Sequence, residues 1–408
     1  MDTQKIETYC NRIIEIAFYV IVFYIPIASA IVESFMGVAI CAWLFKKFFI
    51  SPKQPLFFKT PLNVPIVIYF LVCFLAVIFS SNHGISIKTF IGKTVEYFLL
   101  FFIVVETVDK RILKNILIVF IGSASLLSID GIYQYFSHID FLRHRNQPIA
   151  GRVNGPFSTP NDFANYMVTL FPLIASVALI KFKKLRYRIT IAIISLAVFF
   201  SLIISTTRAS WVAFLLAMPL IAIMGNKKLF IWMLLLTIVV LSLTQFLPGP
   251  ARMQISNFLN LQGWKSAQRQ IVWKMSFNMF LEKPILGQGL GTFMHNFSRF
   301  VPKDYPEGWG ASYAHNCFLQ IAAETGVLGL LAFISIIVVL FVSGFKALKK
   351  IKDQRHFYFL SGLLVSIFVY LVGSFFDTHL YSLAFSFIFW LMVGMTVKAT
   401  IIISKDAS

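Results

Sequence analysis

Residues 315–344 read HNCFLQIAAETGVLGLLAFISIIVVLFVSG. From Val327 to Gly344 the stretch holds no charged residue. A helix needs about 20 apolar residues to cross a hydrocarbon core roughly 30 Å thick, because each residue advances 1.5 Å. The reading is a membrane span, and a helical one, since a backbone in lipid must satisfy its own hydrogen bonds.

The same pattern recurs outward in both directions. Apolar runs of near-spanning length stand at 13–31, 35–50, 62–80, 92–106, 112–136, 162–180, 189–205, 209–225, 229–247, 315–344, 357–376 and 380–402. They are continuous, whereas a barrel would need short alternating segments. Hydrophobic residues make up 58% of the 408-residue chain and charged ones 13%, more apolar surface than a soluble domain can hide. The expected fold is an all-α polytopic membrane protein of about twelve transmembrane helices. It forms one integral membrane domain, 1–408, with two long loops at 137–161 and 248–314. The first run has no small-residue cleavage site after it and another run follows at once, so it reads as a retained helix.

Positive charge orients the chain. Alternate loops hold Lys46, Lys47, Lys53 and Lys59, then Lys110, Arg111 and Lys114, then the clusters at 181–188, 227–228 and 346–355. With both termini, that face carries 23 of the 36 basic residues, which places it in the cytoplasm. The net charge of +19 is then topogenic, and a nucleic-acid partner is not implied. The opposite face keeps 13 basic residues, seven of them arginine: Arg143, Arg145, Arg152, Arg208, Arg252, Arg269 and Arg299. The cytoplasmic face has five arginines among its 23. Topogenesis does not need arginine over lysine, but bidentate recognition of phosphate favours it.

Cys10, Cys41, Cys73 and Cys317 show no CxxC spacing and lie in or beside apolar runs, which argues against a disulfide framework or zinc site. The 248–314 loop contains an amphipathic stretch, 266–282, with Ile271, Val272, Met275, Met279 and Phe280 spaced for a helix lying along the interface. Pro284 stops it, and Gly287, Gly289 and Gly291 follow. That GxGxG string has no strand before it and lies on the side without ATP, so it reads as a flexible turn.

Several residues can carry chemistry. Arg208 sits in a turn with almost no loop, either as a snorkelling arginine beside an interfacial Trp211 or as a fixed anion ligand. Arg152 lies in the Gly/Pro/Asn-rich GRVNGPF turn (151–157), as a headgroup or substrate contact. His315 is a general-base candidate at an outer rim, with a structural role as the alternative. Glu324 lies nine residues further, about 13 Å along a helix, out of its reach. The acids Glu96, Asp130, Glu324 and Asp377 would each cost roughly 2.5–3.5 kcal/mol at a helix centre and need partners. Asp377, beside His379, can orient an arginine or the histidine; an interhelical clamp is the alternative. No DxD or acidic pair stands on the outer face, which weighs against metal-dependent glycosyl transfer.

Together these segments resemble the O-antigen ligase / O-antigen polymerase superfamily of bacterial envelope glycosyltransferases. The resemblance rests on RVNGPF (152–157) with Pro160 and Asn161, and on TRASW (207–211). It rests also on Arg269 through Trp273 with KPILGQG (283–289), and on His315 and Asn316 with Leu319, Glu324 and Gly326. It covers residues 150–330 by motif and the N-terminal spans by topology. It implies a GT-C type membrane fold and a metal-independent, inverting transfer with no cofactor. The donor would be a glycan on undecaprenyl pyrophosphate and the ligase-branch acceptor lipid A–core oligosaccharide. The enzyme would sit in the bacterial inner membrane with a periplasmic site. By the resemblance Arg208, Arg269 and Arg152 bind the pyrophosphate, His315 is the base, and Asn316, Glu324 and Asp377 support them. The compact length and the His315-Asn316 segment favour ligase over polymerase. A protein O-oligosaccharyltransferase is disfavoured because the chain ends soon after its last span. A transporter or flippase for polyprenyl-linked sugars would instead use buried acids such as Glu96 and Asp130 around a midplane cavity.

Overall fold

A computed structural model describes residues 3–52, 55–147, 151–180, 182–223, 231, 234–235, 238, 242, 267–303, 305 and 312–406. The order is α1 (Thr3–Tyr24), α2 (Ser29–Phe45), α3 (Asn63–Ile78), α4 (His83–Thr89), α5 (Glu96–Thr107), α6 (Lys110–Ser137) and α7 (Pro160–Ala178). Then come α8 (Leu185–Ser205), α9 (Arg208–Ile223), α10 (Ala267–Glu282), α11 (Phe293–Phe300), α12 (Cys317–Leu348), α13 (Gln354–Ser374) and α14 (Leu383–Asp406). Among the described residues the only β pairing is an isolated bridge, Ile139 to Asn146. A π-helical segment, Lys46–Ile50, extends α2, and another, Phe90–Val95, fuses α4 to α5.

Local sequence explains the ends. Asn82, Asp109, Thr159, Asn316 and Asp353 each accept a backbone N–H at the start of α4, α6, α7, α12 and α13. Pro160 begins α7, where a missing N–H costs nothing. The expected run 13–31 straddles the α1–α2 turn. Pro26 disfavours helix at the residue before it, so α1 stops at Tyr24 and reaches back to Thr3 instead. The run 229–247 lies outside the described residues apart from 231, 234–235, 238 and 242.

Among the described residues, six segments are long and apolar enough to cross a bilayer: Ser29–Ile50, Lys110–Ser137, Leu185–Ser205, Cys317–Leu348, Gln354–Ser374 and Leu383–Ser404. Asn63–Ile78 and Arg208–Ile221 are shorter apolar helices. The chain is a polytopic α-helical membrane protein. Its centre is α7, packed against α8, α9 and α13, with α14 wedged between α5, α12 and α13. Phe163, Tyr166, Tyr370 and Phe385 are fully buried there. Val64, Leu71, Phe79 and Ile193 are exposed, as expected of helices whose outer faces meet lipid. At the lysine-rich end, Lys47 pairs with Glu106 at 2.8 Å and Arg111 with Glu15 at 2.8 Å, tying α1, α2, α5 and α6.

Candidate functional site

At the other end of the bundle the last turns of α6 shape the loop that follows. Gln134 Oε1 accepts the N–H groups of Asn154 (3.0 Å) and Gly155 (2.9 Å), and its Nε2 donates to Asn154 Oδ1 at 2.9 Å. Asp130 Oδ1 accepts the Phe141 N–H at 2.8 Å. Asp130 is therefore a clamp on loop backbone. Gly155, at φ +50, makes the turn, and a side chain there would press on Phe163.

This turn presents Arg152. Its Nε donates to the Ser205 carbonyl and to Thr206 Oγ1, each at 3.2 Å. Its Nη2 donates to Asn161 Oδ1 (3.1 Å) and Thr207 Oγ1 (3.0 Å). Every one of these acceptors is neutral. Burial, and then the neighbouring positive charge of Arg208, lower the guanidinium's pKa from its ordinary value, yet an arginine remains protonated. Two like charges thus lie close together, and among the described residues no carboxylate is bound to Arg152.

Arg208 opens α9 directly after a tight turn in which Thr206 adopts φ +51. It is half-buried, and the helix N-terminus adds a partial positive charge beside it. Trp211 corrects an expectation: it is not a belt residue facing lipid but is buried, edge-on to Phe199 and Phe214.

His315 comes from the opposite side. Asn316 caps α12 by accepting the Phe318 and Leu319 N–H groups at 2.9 and 3.0 Å. This cap leaves His315 at φ +47, a conformation uncommon outside glycine. Its Nδ1 lies 3.4 Å from Asp377 Oδ1, a long contact across 62 residues of sequence. Asp377 follows α13, and its own backbone carbonyl receives the Cys317 thiol at 3.4 Å. Burial alone would raise the Asp377 carboxyl. The hydrogen bond from His315, the charges of His379 and His315, and the Thr378 N–H outweigh it and hold the pKa at about 2. Burial pushes His379 toward its neutral form.

A polar chain runs behind this pair. Ser210 Oγ donates to Asn165 Oδ1 at 2.9 Å, and Asn165 Nδ2 meets His379 Nε2 at 2.7 Å. An amide donor there assigns the His379 proton to Nδ1, an inference from the network. Asn165 is absent from the residues the sequence singled out. Its signal was an asparagine one turn beyond Asn161 on the same face of an otherwise apolar helix.

Glu324 does not join the site. Its carboxylate accepts the Gly291 N–H at 2.8 Å and the Phe293 N–H at 3.2 Å, fastening the glycine string to α12. The string is not a flexible turn. Gly287, Gly289 and Gly291 have φ of +70, +116 and +72, and a Cβ on Gly287 would lie 2.3 Å from the Glu324 carbonyl carbon. Gly326, at φ +66, breaks α12 to receive it.

The helix expected over 266–282 is present, but Val272, Met275 and Met279 face Phe293, Phe297 and Ala323 rather than lipid. Arg269 is half-buried in its first turn, and this helix packs on α12. Arg299 is paired with Glu282 at 2.9 Å, and Arg145 donates to Ser158 at 2.9 Å. Arg252 and much of 248–314 lie outside the described residues. Among the described residues, no three of His, Cys, Asp and Glu gather as metal ligands.

Residues 191–334 match the family model described as O-antigen ligase. The match includes Arg208, Arg269, His315 and Glu324, while Arg152 and Asp377 lie outside it. It supports the O-antigen ligase/polymerase superfamily and, at that level, a glycosyltransferase-type enzyme. No curated protein matches the chain.

Proposed function

We propose, from that superfamily match, that the chain is an O-antigen ligase of the GT-C type, working at the periplasmic face of the bacterial inner membrane with both termini cytoplasmic. The observation that carries the reading is Arg152, bonded only to neutral groups and set beside a second arginine at the end of the bundle that holds His315 and Asp377. The charge of Arg152 has no anionic partner among the described residues, and a lipid-linked pyrophosphate supplies an anion of high charge density.

In this reading Arg152, Arg208 and Arg269 hold the pyrophosphate of an undecaprenyl-linked glycan. With Asp377 accepting the Nδ1 proton, Nε2 of His315 keeps its lone pair for the acceptor. The acceptor is a hydroxyl of lipid A–core oligosaccharide. That hydroxyl passes its proton to Nε2 as its oxygen attacks the anomeric carbon. The bond from that carbon to the pyrophosphate oxygen breaks with its electron pair, and undecaprenyl pyrophosphate leaves. Attack opposite the leaving group inverts the anomeric centre. The arginines take up the charge that develops on the leaving oxygen, so neither metal nor nucleotide is called for. Asn316 positions His315 through the α12 cap, and Glu324 acts at a distance by fixing the glycine string.

Of the two acids named for the transport alternative, Glu96 and Asp130, Asp130 already binds loop backbone, which weakens that reading. The test is transfer by the purified protein from undecaprenyl-pyrophosphate O-antigen to lipid A–core, with EDTA and without nucleotide. Glycan on lipid A supports the ligase. Longer lipid-linked chains would mean the polymerase, and no product with vesicle transport would mean the transporter.

A further inference from the structure

Arg143 takes no part in the site described above. It stands in the short loop that follows α6, and that loop is tightly built. The Ile139–Asn146 bridge closes it, and the Gln147 N–H donates to the His138 carbonyl at 2.7 Å. Asp140, fully buried, accepts the Arg143 N–H at 2.6 Å and the Arg145 N–H as well. Its carboxylate is thus engaged with backbone. The side chains of Arg143 and His144 are exposed at the tip and have no hydrogen-bond or ion-pair partner among the described residues. His144 adopts φ +53 there.

The loop's height relative to the membrane follows from α6. Residues 115–129 of that span carry no charge. Tyr133 lies nineteen residues beyond Lys114, roughly 28 Å along the helix, close to the thickness of the hydrocarbon core. Ile118, Ile129, Tyr133 and Phe136 are exposed on one face of α6, so that face meets lipid and Tyr133 marks its boundary. The loop folds back to this boundary. The Phe141 and Leu142 N–H groups reach Asp130 Oδ1 at 2.8 and 3.3 Å, and the Phe141 ring lies edge-on to Tyr133 at 5.6 Å. Arg143 and His144 follow at once, beside the lipid face and at the height of the headgroups. Arg145 is directed elsewhere, to Ser158.

We infer that this loop docks the headgroup phosphate of an anionic phospholipid from the surrounding leaflet, with Arg143 and His144 as its ligands and Phe141 and Tyr133 against its acyl chains. Charge complementarity selects the lipid. Arg143 supplies a fixed positive charge and His144 an N–H donor in either protonation state. The two nearby carboxylates, Asp130 and Asp140, are both engaged with backbone N–H groups and do not pair with the tip. A zwitterionic headgroup would bring its own cation against Arg143, and an anionic one does not. The surface uses none of Arg152, Arg208, Arg269 or His315, so the lipid is a bound neighbour of the protein and not a substrate.

The test uses the full chain in detergent micelles, titrated with phosphatidylglycerol or phosphatidylcholine, bound lipid being read by native mass spectrometry. Thermal midpoints identify the folded variants. The double variant Arg143→Gln/His144→Gln weakens the tightest phosphatidylglycerol binding about tenfold, the loss of a charge-assisted contact, and leaves phosphatidylcholine binding unchanged. Arg143→Lys stays within about threefold of wild type. Lys303→Gln, which removes an exposed charge from the 248–314 loop, binds like wild type. The inference is overturned if the double variant binds phosphatidylglycerol like wild type, if it loses both lipids equally, or if Lys303→Gln costs as much. It is overturned too if equimolar lipid A displaces phosphatidylglycerol from wild type but not from the double variant, because the loop would then contact the acceptor of the proposed transfer. The readout is lipid binding alone, so its outcome is independent of whether the protein is a ligase.

Discussion

Replacing Asp377 with asparagine isolates the charge behind His315. The carboxylate lies 3.4 Å from Nδ1, with side-chain exposures of 21% for Asp377 and 33% for His315. Its folded pKa of about 2 lies below the ordinary 3.8. A depressed carboxylate stabilises the fold above the unfolded pKa, and that contribution, roughly 2 kcal/mol, is lost as pH falls through about 2. At pH 5 and above its charge is constant, so the acid limb of an activity profile does not belong to Asp377. In the proposed transfer, Asp377→Asn removes the partner of the imidazolium formed when His315 takes the acceptor's proton. At 3.4 Å, an effective dielectric of 20–40 gives about 2.5–5 kcal/mol. With a third of the imidazole exposed, the working figure is about 2–3 kcal/mol, or about 30- to 150-fold in kcat. The assay is glycan transfer at saturating donor and acceptor on protein shown to be folded. Donor KM should stay near wild type, because the proposed pyrophosphate ligands are arginines and not Asp377. A folded variant within about threefold of wild-type kcat, or one whose whole loss sits in donor KM, would refute the reasoning.

Arg152→Lys keeps the charge but loses the planar fork that meets Thr206, Thr207 and Asn161 at once. Transfer kcat/KM for the donor should fall about tenfold or more, and an unchanged value would remove Arg152 from the donor site. Gly287→Ala forces a side chain onto φ +70 and against the Glu324 backbone, so the thermal midpoint should drop by an amount equivalent to about 1–3 kcal/mol. An unshifted midpoint would show that the glycine string is not fixed as described. Asn165→Ala leaves the buried Ser210 hydroxyl and His379 Nε2 without their partner, at about 1–3 kcal/mol of stability. Equal stability by denaturant titration would mean that water replaces the amide.

Most helices were legible because apolar runs, prolines and caps are local signals. The 151–157 turn and the tight 205–208 turn could be read in the same way, since Gly, Pro and Thr mark where the backbone must bend. The errors have one origin. Trp211 looks like a belt residue and 266–282 like an interfacial helix only if nothing else packs on them, and the sequence does not say what packs where. The glycine string looked flexible because its partner, the break at Gly326, lies 35 or more residues away.

By itself the sequence determined a helical membrane protein with arginine gathered on one set of loops, because composition and periodicity act along the chain. Tertiary packing alone decided how those residues are used. It brought Asp377 to His315 across 62 residues and Arg152 to Thr207 across 55. It also committed Glu324 to the Gly291 and Phe293 N–H groups, away from the histidine. Hydrogen bonds and charges act over a few ångströms of space, and only the packing of helices sets which distant residues share that space.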